Sequence, residues 1–566
     1  MFFFIEVLTF TFLSSIHLIS SGLIFNKIFF KNHKLTLNEL GLYGLIYLGL
    51  IALIINFFLP LNKVINTAIF IIPLLIFFFN KKKEIIKLSI IISIISSITI
   101  FLDNSYVPDA GLYHLPFTRI LNENKIIIGL VNINFTYGQS SFLQYISATY
   151  NNLIFKEIGI VIPLVYFYSF FLLFLLIEFF SQKDKLIKFI LFLFLFYTLY
   201  GFSRYSEYGN DTPAHILFFY VILKAIIGEI KKKIHKNFEE ISFISLIIFM
   251  IKPTMGLVFL IPIYIFFKNK LYCFFKTKIF YLIIAVLLLY IIKNLLITGC
   301  IVYPQKNTCF ESLPWYSQNI KYEGNATRVS NQGLAWTKGF PDQPFPQKNF
   351  EEYLNGFYWV KIWMPHHGLV ILKKNWVFLL LIFILQLYFF NKNKILIKKN
   401  VILSRYKKNN ILYLNIILFL STLIWFLYFP VFRYGAGYII SLLIIMIISI
   451  NRIKIVYLKK NIYKNINLII LFLIFIICLK NFYRIYKNYE YNYINYPWPK
   501  IYSDKNESNK EIELEKIYKD GEFYFYKANT LCYYNNAPCT HFDISKILNE
   551  VDVKEYKGYK IYQIIK

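Results

Sequence analysis

Long runs of apolar residues alternate with short basic clusters along most of the chain. A run of about 20 apolar residues can cross a bilayer as a helix, and these runs lack the strict alternation of a membrane β-barrel strand. The pattern predicts an all-α polytopic membrane protein with about fourteen hydrophobic segments. These segments lie near residues 3–25, 40–59, 64–80, 86–102, 158–180, 186–202, 212–230, 241–251, 255–267, 279–297, 374–390, 411–430, 437–450 and 466–480.

The first segment is interpreted as a retained span, because it has neither a basic leading region nor a small-residue cleavage site. The segments 241–251 and 255–267 are short and meet at Lys252-Pro253. Because proline ends or kinks a helix, the chain is expected to form two short helices or a re-entrant pair there.

The basic clusters predict which loops are cytoplasmic, because such loops are enriched in lysine and arginine. The clusters lie at 27–34, 81–83, 183–188, 231–236, 268–278, 392–408 and 452–464. Both termini and three large regions are then expected on the opposite side, here called the outer side, of a bacterial inner membrane. The predicted organisation is N-terminal spans (1–102), a first outer loop with an amphipathic surface helix (103–157), a transmembrane core (158–297), a second outer loop (298–374), further spans (375–480) and a small C-terminal extracytoplasmic α/β domain (481–566).

Composition agrees with this organisation, since 57% of the 566 residues are hydrophobic and only 16% are charged. The net charge of +30 would suit a nucleic-acid-binding protein. That class is excluded because the charge is divided among loops and does not form one basic face. The expected partner is therefore the lipid bilayer.

Four of the six cysteines fall on the predicted outer side, in two close pairs. Disulfides form in oxidising compartments. We therefore predict the disulfides Cys300–Cys309 and Cys532–Cys539. Four free thiols are the alternative.

The segment Asp103-Asn-Ser-Tyr-Val-Pro-Asp109-Ala-Gly-Leu-Tyr-His114 follows a predicted span. Carboxylates at membrane depth are costly and usually functional. Asp109 is the leading candidate for a general base, and Asp103 could act instead or hold a metal. Alternatively, either one caps the amphipathic stretch 112–130, which is expected on the outer membrane surface. His114 is a candidate substrate-binding residue.

A second polar cluster, Arg204-Tyr-Ser-Glu-Tyr-Gly-Asn-Asp211-Thr-Pro-Ala-His215, lies in another predicted outer loop. Asp211 and His215 are four residues apart, so they share a helix face. Together with Arg204 they are predicted to bind substrate, and Asp211 and His215 could alternatively hold a divalent cation as a cofactor. Asp211 could instead cap the helix, since Thr-Pro follows it.

Two basic residues, Lys252 and Arg433, stand at predicted outer ends of spans. Such groups can bind the phosphate of a polyprenyl carrier, and the glycines that follow Arg433 would allow a ligand to approach the backbone. The alternative is snorkelling, in which the charge only reaches interfacial water.

An acidic residue in an early outer loop, followed by an amphipathic stretch, resembles the arrangement in the GT-C superfamily of membrane glycosyltransferases. Six short strings also resemble uncharacterised bacterial multi-pass membrane proteins. They are Pro-Asp-Ala-Gly-Leu-Tyr-His (108–114), Asn-Asp-Thr-Pro-Ala-His (210–215), Thr-Gly-Cys-Ile-Val-Tyr-Pro (298–304), Thr-Cys-Phe (308–310), Arg-Tyr-Gly-Ala-Gly (433–437) and Ala-Pro-Cys-Thr (537–540). The chain departs from GT-C because its acidic loop follows the fourth span and lacks a tight acidic pair.

The GT-C resemblance implies transfer of a sugar from a polyprenyl-phosphate donor to an extracytoplasmic acceptor, with Asp109 as the base and a cation assisting the leaving phosphate. Alternatives are an O-antigen-type polymerase or ligase, which would depend on arginine, a lipid-linked sugar flippase, and a structural subunit.

Overall fold

The protein is seen in a computed structural model that describes residues 2–30, 35–79, 82–101, 109–202, 208–319, 322, 324–343, 348–391, 411–456, 458, 460–490, 512–519 and 522–565. Helices dominate the described residues. They are α1 (Phe2–Phe29), α2 (Leu37–Asn56), α3 (Lys63–Phe77), α4 (Lys82–Phe101), α5 (Leu115–Glu123), α6 (Phe142–Ala148), α7 (Ile162–Ser181), α8 (Lys185–Gly201), α9 (Asp211–Ile230), α10 (Ile234–Ile251), α11 (Leu260–Asn269), α12 (Lys278–Thr298), α13 (Ala326–Thr337), α14 (Phe350–Leu354), α15 (Trp359–Trp363), α16 (Leu369–Asn391), α17 (Leu412–Tyr428), α18 (Phe432–Val456), α19 (Lys460–Glu490) and α20 (Ile544–Glu550).

Eight helical segments among these residues are long and apolar enough to cross a membrane. They are Ile5–Phe29, Leu37–Asn56, Glu157–Ser181, Asp211–Ile230, Lys278–Thr298, Trp359–Phe390, Phe432–Arg452 and Asn465–Tyr483, and three shorter apolar helices span Lys63–Phe77, Pro253–Asn269 and Leu412–Tyr428. The protein is therefore a multi-pass membrane protein. Each of the fourteen hydrophobic segments predicted from the sequence overlaps a helix of the structure.

The predicted short helix at 241–251 is the second half of the longer α10, which begins at Ile234. The first turns of α10 are helical because they bury Ile234 and Phe238, and they bring the buried Glu240 to Lys224. The chain does break at Lys252-Pro253, where a 3-10 helix (Pro253–Phe259) leads into α11.

The stretch 112–130, predicted to be an amphipathic helix on the membrane surface, is packed inside the protein. It forms a π-helical turn, Ala110–His114, and then α5, most of whose residues are buried. Its polar residues find partners inside the fold: Thr118 shares a hydrogen bond with the Tyr208 hydroxyl, and the Asn122 amide donates to the carbonyl of Leu61 at 2.6 Å. The amphipathic pattern of this stretch predicted a position on the membrane surface. Because its polar side chains are hydrogen-bonded inside the protein, α5 can be buried on both faces.

The described part of the C-terminal region contains five strands: β1 (Leu514–Lys519), β2 (Glu522–Ala528), β3 (Cys539–Thr540), β4 (Val551–Tyr556) and β5 (Tyr559–Ile564). β2 pairs antiparallel with β1 and parallel with β3, whereas β4 and β5 form a hairpin. Both predicted disulfides, Cys300–Cys309 and Cys532–Cys539, are formed. They indicate that these parts of the protein are extracytoplasmic.

The first outer loop, the second outer loop and the C-terminal region pack against one another. The amide of Tyr562 donates to Ile128 O at 2.9 Å, and the amide of Ile564 donates to Pro314 O at 3.0 Å. The amide of Tyr533 donates to Gly111 O, also at 3.0 Å. The C-terminal region therefore holds the loop in which Asp109 lies.

Candidate functional site

A cavity of about 500 Å³ lies where the outer loops meet the predicted outer ends of the membrane helices. The first outer loop, the break after α10, the second outer loop and α13 contribute to its wall, as do the facing ends of α17 and α18. Its charged lining residues are Asp109, Asp211, Lys252 and Arg433, with His114 beside them. The fold thus brings together five of the site residues predicted from separate parts of the sequence.

Asp109 forms an ion pair with Arg433, 324 residues further along the chain. Asp109 precedes the π-helical turn but its side chain makes no capping hydrogen bond there. The exposed fractions of these side chains are 25% for Asp109 and 40% for Arg433. This pair is therefore open to a ligand that enters the cavity.

The second ion pair, between Lys252 and Asp211, is more deeply buried, since the Lys252 side chain is only 4% exposed. The Lys252 ammonium also donates to Arg433 O at 3.1 Å and lies 4.2 Å from the centroid of the Tyr434 ring. These contacts use its donors within the protein. The pair therefore positions the first turn of α18, which carries Arg433. Asp211 stands in the first turn of α9, where a capping role was the alternative, and its carboxylate pairs with Lys252.

His215 supports the same turn. Its Nε2 lies 2.8 Å from Arg433 O, and its Nδ1 lies 3.2 Å from the amide nitrogen of Gly437. A backbone N–H can only donate, so Nδ1 accepts and Nε2 carries the proton. Both ring nitrogens are therefore engaged, and they are not available to a cation in this arrangement.

The contacts of Asp211 and His215 do not favour a divalent cation between these two side chains. Asp211 is held by Lys252, and His215 is fully hydrogen-bonded. Across the described ranges, no group of three or more histidine, cysteine, aspartate or glutamate residues is arranged to hold a metal ion.

His114 lies in the cavity wall and is buried. Its Nδ1 is 3.2 Å from Gln144 Nε2, and the other amide atom, Gln144 Oε1, accepts the Ser141 N–H at 2.6 Å. Nδ1 is therefore an acceptor. Burial lowers the pKa of His114 to about 4, although the charges of Asp109 and Asp211 oppose that shift. At neutral pH His114 is uncharged and can serve the cavity only as a polar, neutral group.

A capping box at the start of α6 fixes this wall, and sequence reasoning missed it. Ser141 and Gln144 have the Ser-x-x-Gln spacing. The Ser141 hydroxyl accepts from a backbone N–H in the first turn of α6, and the Gln144 side chain accepts from the backbone N–H of Ser141. Ser141 Oγ also donates to Ile251 O at 2.7 Å, at the end of α10. The Ser-x-x-Gln spacing is the sequence pattern from which this capping box could have been predicted.

The glycines after Arg433 serve packing rather than ligand approach. A Cβ on Gly435 would lie 2.4 Å from the Trp425 ring, and one on Gly437 would lie 3.0 Å from His215 Nδ1. The positions of Asp103 and Arg204, two further predicted site residues, are outside the described residues. Sequence reasoning also gave no role to Ser140, Tyr113 and Tyr434, which line the cavity.

The fold and cavity define a multi-pass membrane protein with a charged cavity that is bordered by a disulfide-bearing loop. A family model described as "Domain of unknown function (DUF8201)" matches residues 1–440, and the chain belongs to that family. Every residue that lines the cavity lies within the matched segment. No curated protein and no solved structure matches the chain.

Proposed function

We propose that the protein is an integral membrane glycosyltransferase that moves a sugar from a polyprenyl-phosphate donor to an extracytoplasmic acceptor in cell-envelope glycan assembly. The observation that carries this proposal is the accessible Asp109–Arg433 ion pair in the cavity wall. It places a carboxylate next to a guanidinium, which binds phosphate well because its donors match phosphate oxygens.

The rest of the cavity suits a lipid-linked donor. Apolar and aromatic side chains from the break after α10 and from α17 and α18 form part of the wall: Leu257, Ile424, Trp425, Phe429 and Tyr438. Such a surface can hold isoprene units of the carrier. The carrier would then extend towards the bilayer while its phosphate reaches the charged end of the cavity.

The ion pair suggests how the donor prepares the base. A donor phosphate that binds Arg433 competes with Asp109 for the guanidinium. Asp109 then accepts the proton of an acceptor hydroxyl, and the oxygen of that hydroxyl forms a bond to the anomeric carbon of the donor sugar. The bond between that carbon and the phosphate oxygen breaks, and Arg433 stabilises the charge that develops on the leaving phosphate. Lys252 and His215 contribute by holding the α18 turn.

A polymerase or ligase remains a second candidate because Arg433 is the more exposed member of the pair. That mechanism would depend on the arginine rather than on the aspartate. A flippase would use the same cavity for a lipid-linked sugar without covalent change. The two charged residues therefore need to be tested separately.

The test is glycan analysis of cells that lack the gene and carry either the wild-type protein or Asp109→Asn. We expect wild type to restore a surface glycan and Asp109→Asn, inserted at an equal level, to fail. The matched control is Asp342→Asn, which removes an exposed outer carboxylate that does not line the cavity. Full restoration by Asp109→Asn would sink the assignment of the base.

A further inference from the structure

We propose that Ser140 and Lys293 form a second anion-binding subsite in the cavity, and that this subsite recognises the second phosphate of a diphosphate-linked polyprenyl carrier. The inference deepens the proposed function and rests on it for the lipid nature of the donor. Neither residue belongs to the two ion pairs described above.

Lys293 is a buried lysine near the outer end of α12, and its exposed fraction is 1%. Its Nζ lies 2.8 Å from Ser140 Oγ and 3.5 Å from Ser140 O. The face of the Tyr290 ring is 4.9 Å away, measured to its centroid. None of the ion pairs found among the described residues includes Lys293.

The contacts of Lys293 determine the direction of the Ser140 hydroxyl. When Lys293 is protonated, its ammonium donates to both of these oxygen atoms and faces the ring. Because Ser140 Oγ accepts from Lys293, its own proton points away from that ammonium. Ser140 lines the cavity, so its hydroxyl would then be a donor at the wall, strengthened by the neighbouring ammonium.

The backbone around Ser140 is held in place before any ligand binds. The Ser140 amide donates to Tyr137 O at 3.2 Å. The next residue, Ser141, caps α6 and is tied to the end of α10. On the other side, a Cβ on Gly138 would lie 2.4 Å from the Tyr303 ring, so only glycine allows this close packing. A donor fixed in this way needs little reorganisation to bind an anion.

The charges of the described residues around the cavity point to an anionic ligand. Asp109 is balanced by Arg433, and Asp211 by Lys252. Protonated Lys293 adds a positive charge just behind the Ser140 wall, and a bound anion would stabilise that protonated form. Arg433 and Ser140 line the same cavity, so we infer that a diphosphate would offer one phosphate to the guanidinium and a second to the hydroxyl, whereas a monophosphate would use only one of these sites.

The test measures binding of water-soluble isoprenoids to the full-length protein in nanodiscs, with farnesyl monophosphate and farnesyl diphosphate as probes. We expect wild type to bind the diphosphate about tenfold more tightly, the value of one charge-assisted hydrogen bond. Ser140→Ala should lose that preference while its affinity for the monophosphate stays within about twofold. Inorganic diphosphate should compete poorly because it lacks the chain, and equal competition would refute the lipid-carrier part.

Two further variants keep the test independent of folding. Lys293→Met should lose the same preference as Ser140→Ala, and Ser245→Ala, which removes a buried hydroxyl that does not line the cavity, should keep it. An unchanged preference in Ser140→Ala overturns the subsite even if Lys293→Met fails to fold. The glycosyltransferase proposal would survive that result, because its own test is the dependence of glycan transfer on Asp109.

Discussion

Two groups of charged residues inside this protein contrast in their access to ligand. At the predicted cytoplasmic side, Lys224 Nζ lies 2.5 Å from Glu39 Oε1 and 2.9 Å from Glu240 Oε2. Neither of these carboxylate side chains is more than 5% exposed. In the outer cavity, Asp109 and Arg433 are 25% and 40% exposed.

The inner group is built into the helix framework. Glu39 completes a capping box with Thr36 at the start of α2, and the Tyr220 hydroxyl donates at 2.9 Å to Glu39 Oε1, the oxygen that Lys224 also contacts. Lys224 lies on α9 and Glu240 on α10. These buried, hydrogen-bonded charges hold α2, α9 and α10 together. In the accessible outer pair, by contrast, Arg433 can exchange Asp109 for a ligand. Buried charge alone therefore does not identify a reactive site.

The largest effect on stability should come from the inner group. Lys224→Met leaves two carboxylates buried without their shared cation, a change that typically costs about 3–5 kcal/mol. Thermal unfolding in detergent should show a strongly lowered midpoint. Lys231→Met, an exposed lysine at the end of the same helix, is the control and should change little. Equal stability of the two variants would contradict the structural role of the inner group.

Replacement of the outer arginine should affect activity more than folding. Arg433→Ala removes the group proposed to bind the leaving phosphate, and we expect glycan transfer to fall roughly a hundredfold. The measurement is surface glycan at equal protein level, beside Asp109→Asn. A more severe loss in Arg433→Ala than in Asp109→Asn would favour the polymerase or ligase alternative.

Acid should weaken the outer wall through His114. Its pKa in the folded protein is lowered to about 4 by burial, below the ordinary value of 6.5. The unfolded chain therefore binds this proton first, and stability is lost as pH falls from 6.5 towards 4. From pH 7 to pH 5 the loss is about 2 kcal/mol. His114→Gln should remove this part of the pH dependence of the unfolding midpoint. Identical pH dependence of the unfolding midpoint in wild type and His114→Gln would contradict this role of His114.

A smaller effect is expected where the C-terminal region meets the first outer loop. The Tyr534 hydroxyl donates to Asn122 Oδ1 at 2.6 Å and accepts from Asn151 at 2.8 Å. Tyr534→Phe should cost about 1–2 kcal/mol and hasten proteolysis of the C-terminal region. Tyr518→Phe, at an exposed position, is the matched control. Equal rates of cleavage would show that this contact does not fasten the region.

Local sequence patterns carried much of the fold. Apolar runs predicted the helices, and the spacing of cysteines on one predicted side gave Cys300–Cys309 and Cys532–Cys539. Burial of the stretch at α5 was not predictable in the same way. Its polar residues are satisfied by Leu61 and Tyr208, which are distant in sequence.

In the candidate site too, local sequence indicated single residues but not the contacts between residues distant in the chain. Residue type and location suggested Asp109 and Arg433 separately, but nothing local revealed that they pair across 324 residues. His215 looked like a ligand until its nitrogens were seen to hold the α18 turn. Lys293 looked like an ordinary charge at a span end, because its burial beside Ser140 depends on packing between α12 and the first outer loop.

The most direct test of the central claim uses the donor that should accumulate in cells without the gene. Membranes from those cells are incubated with purified wild-type protein or Asp109→Asn, and mass spectrometry follows the lipid-linked sugar. The account predicts that wild type consumes this lipid and releases the polyprenyl carrier, while Asp109→Asn leaves it intact. Consumption at the wild-type rate by Asp109→Asn, or no covalent change with wild type, would contradict the account.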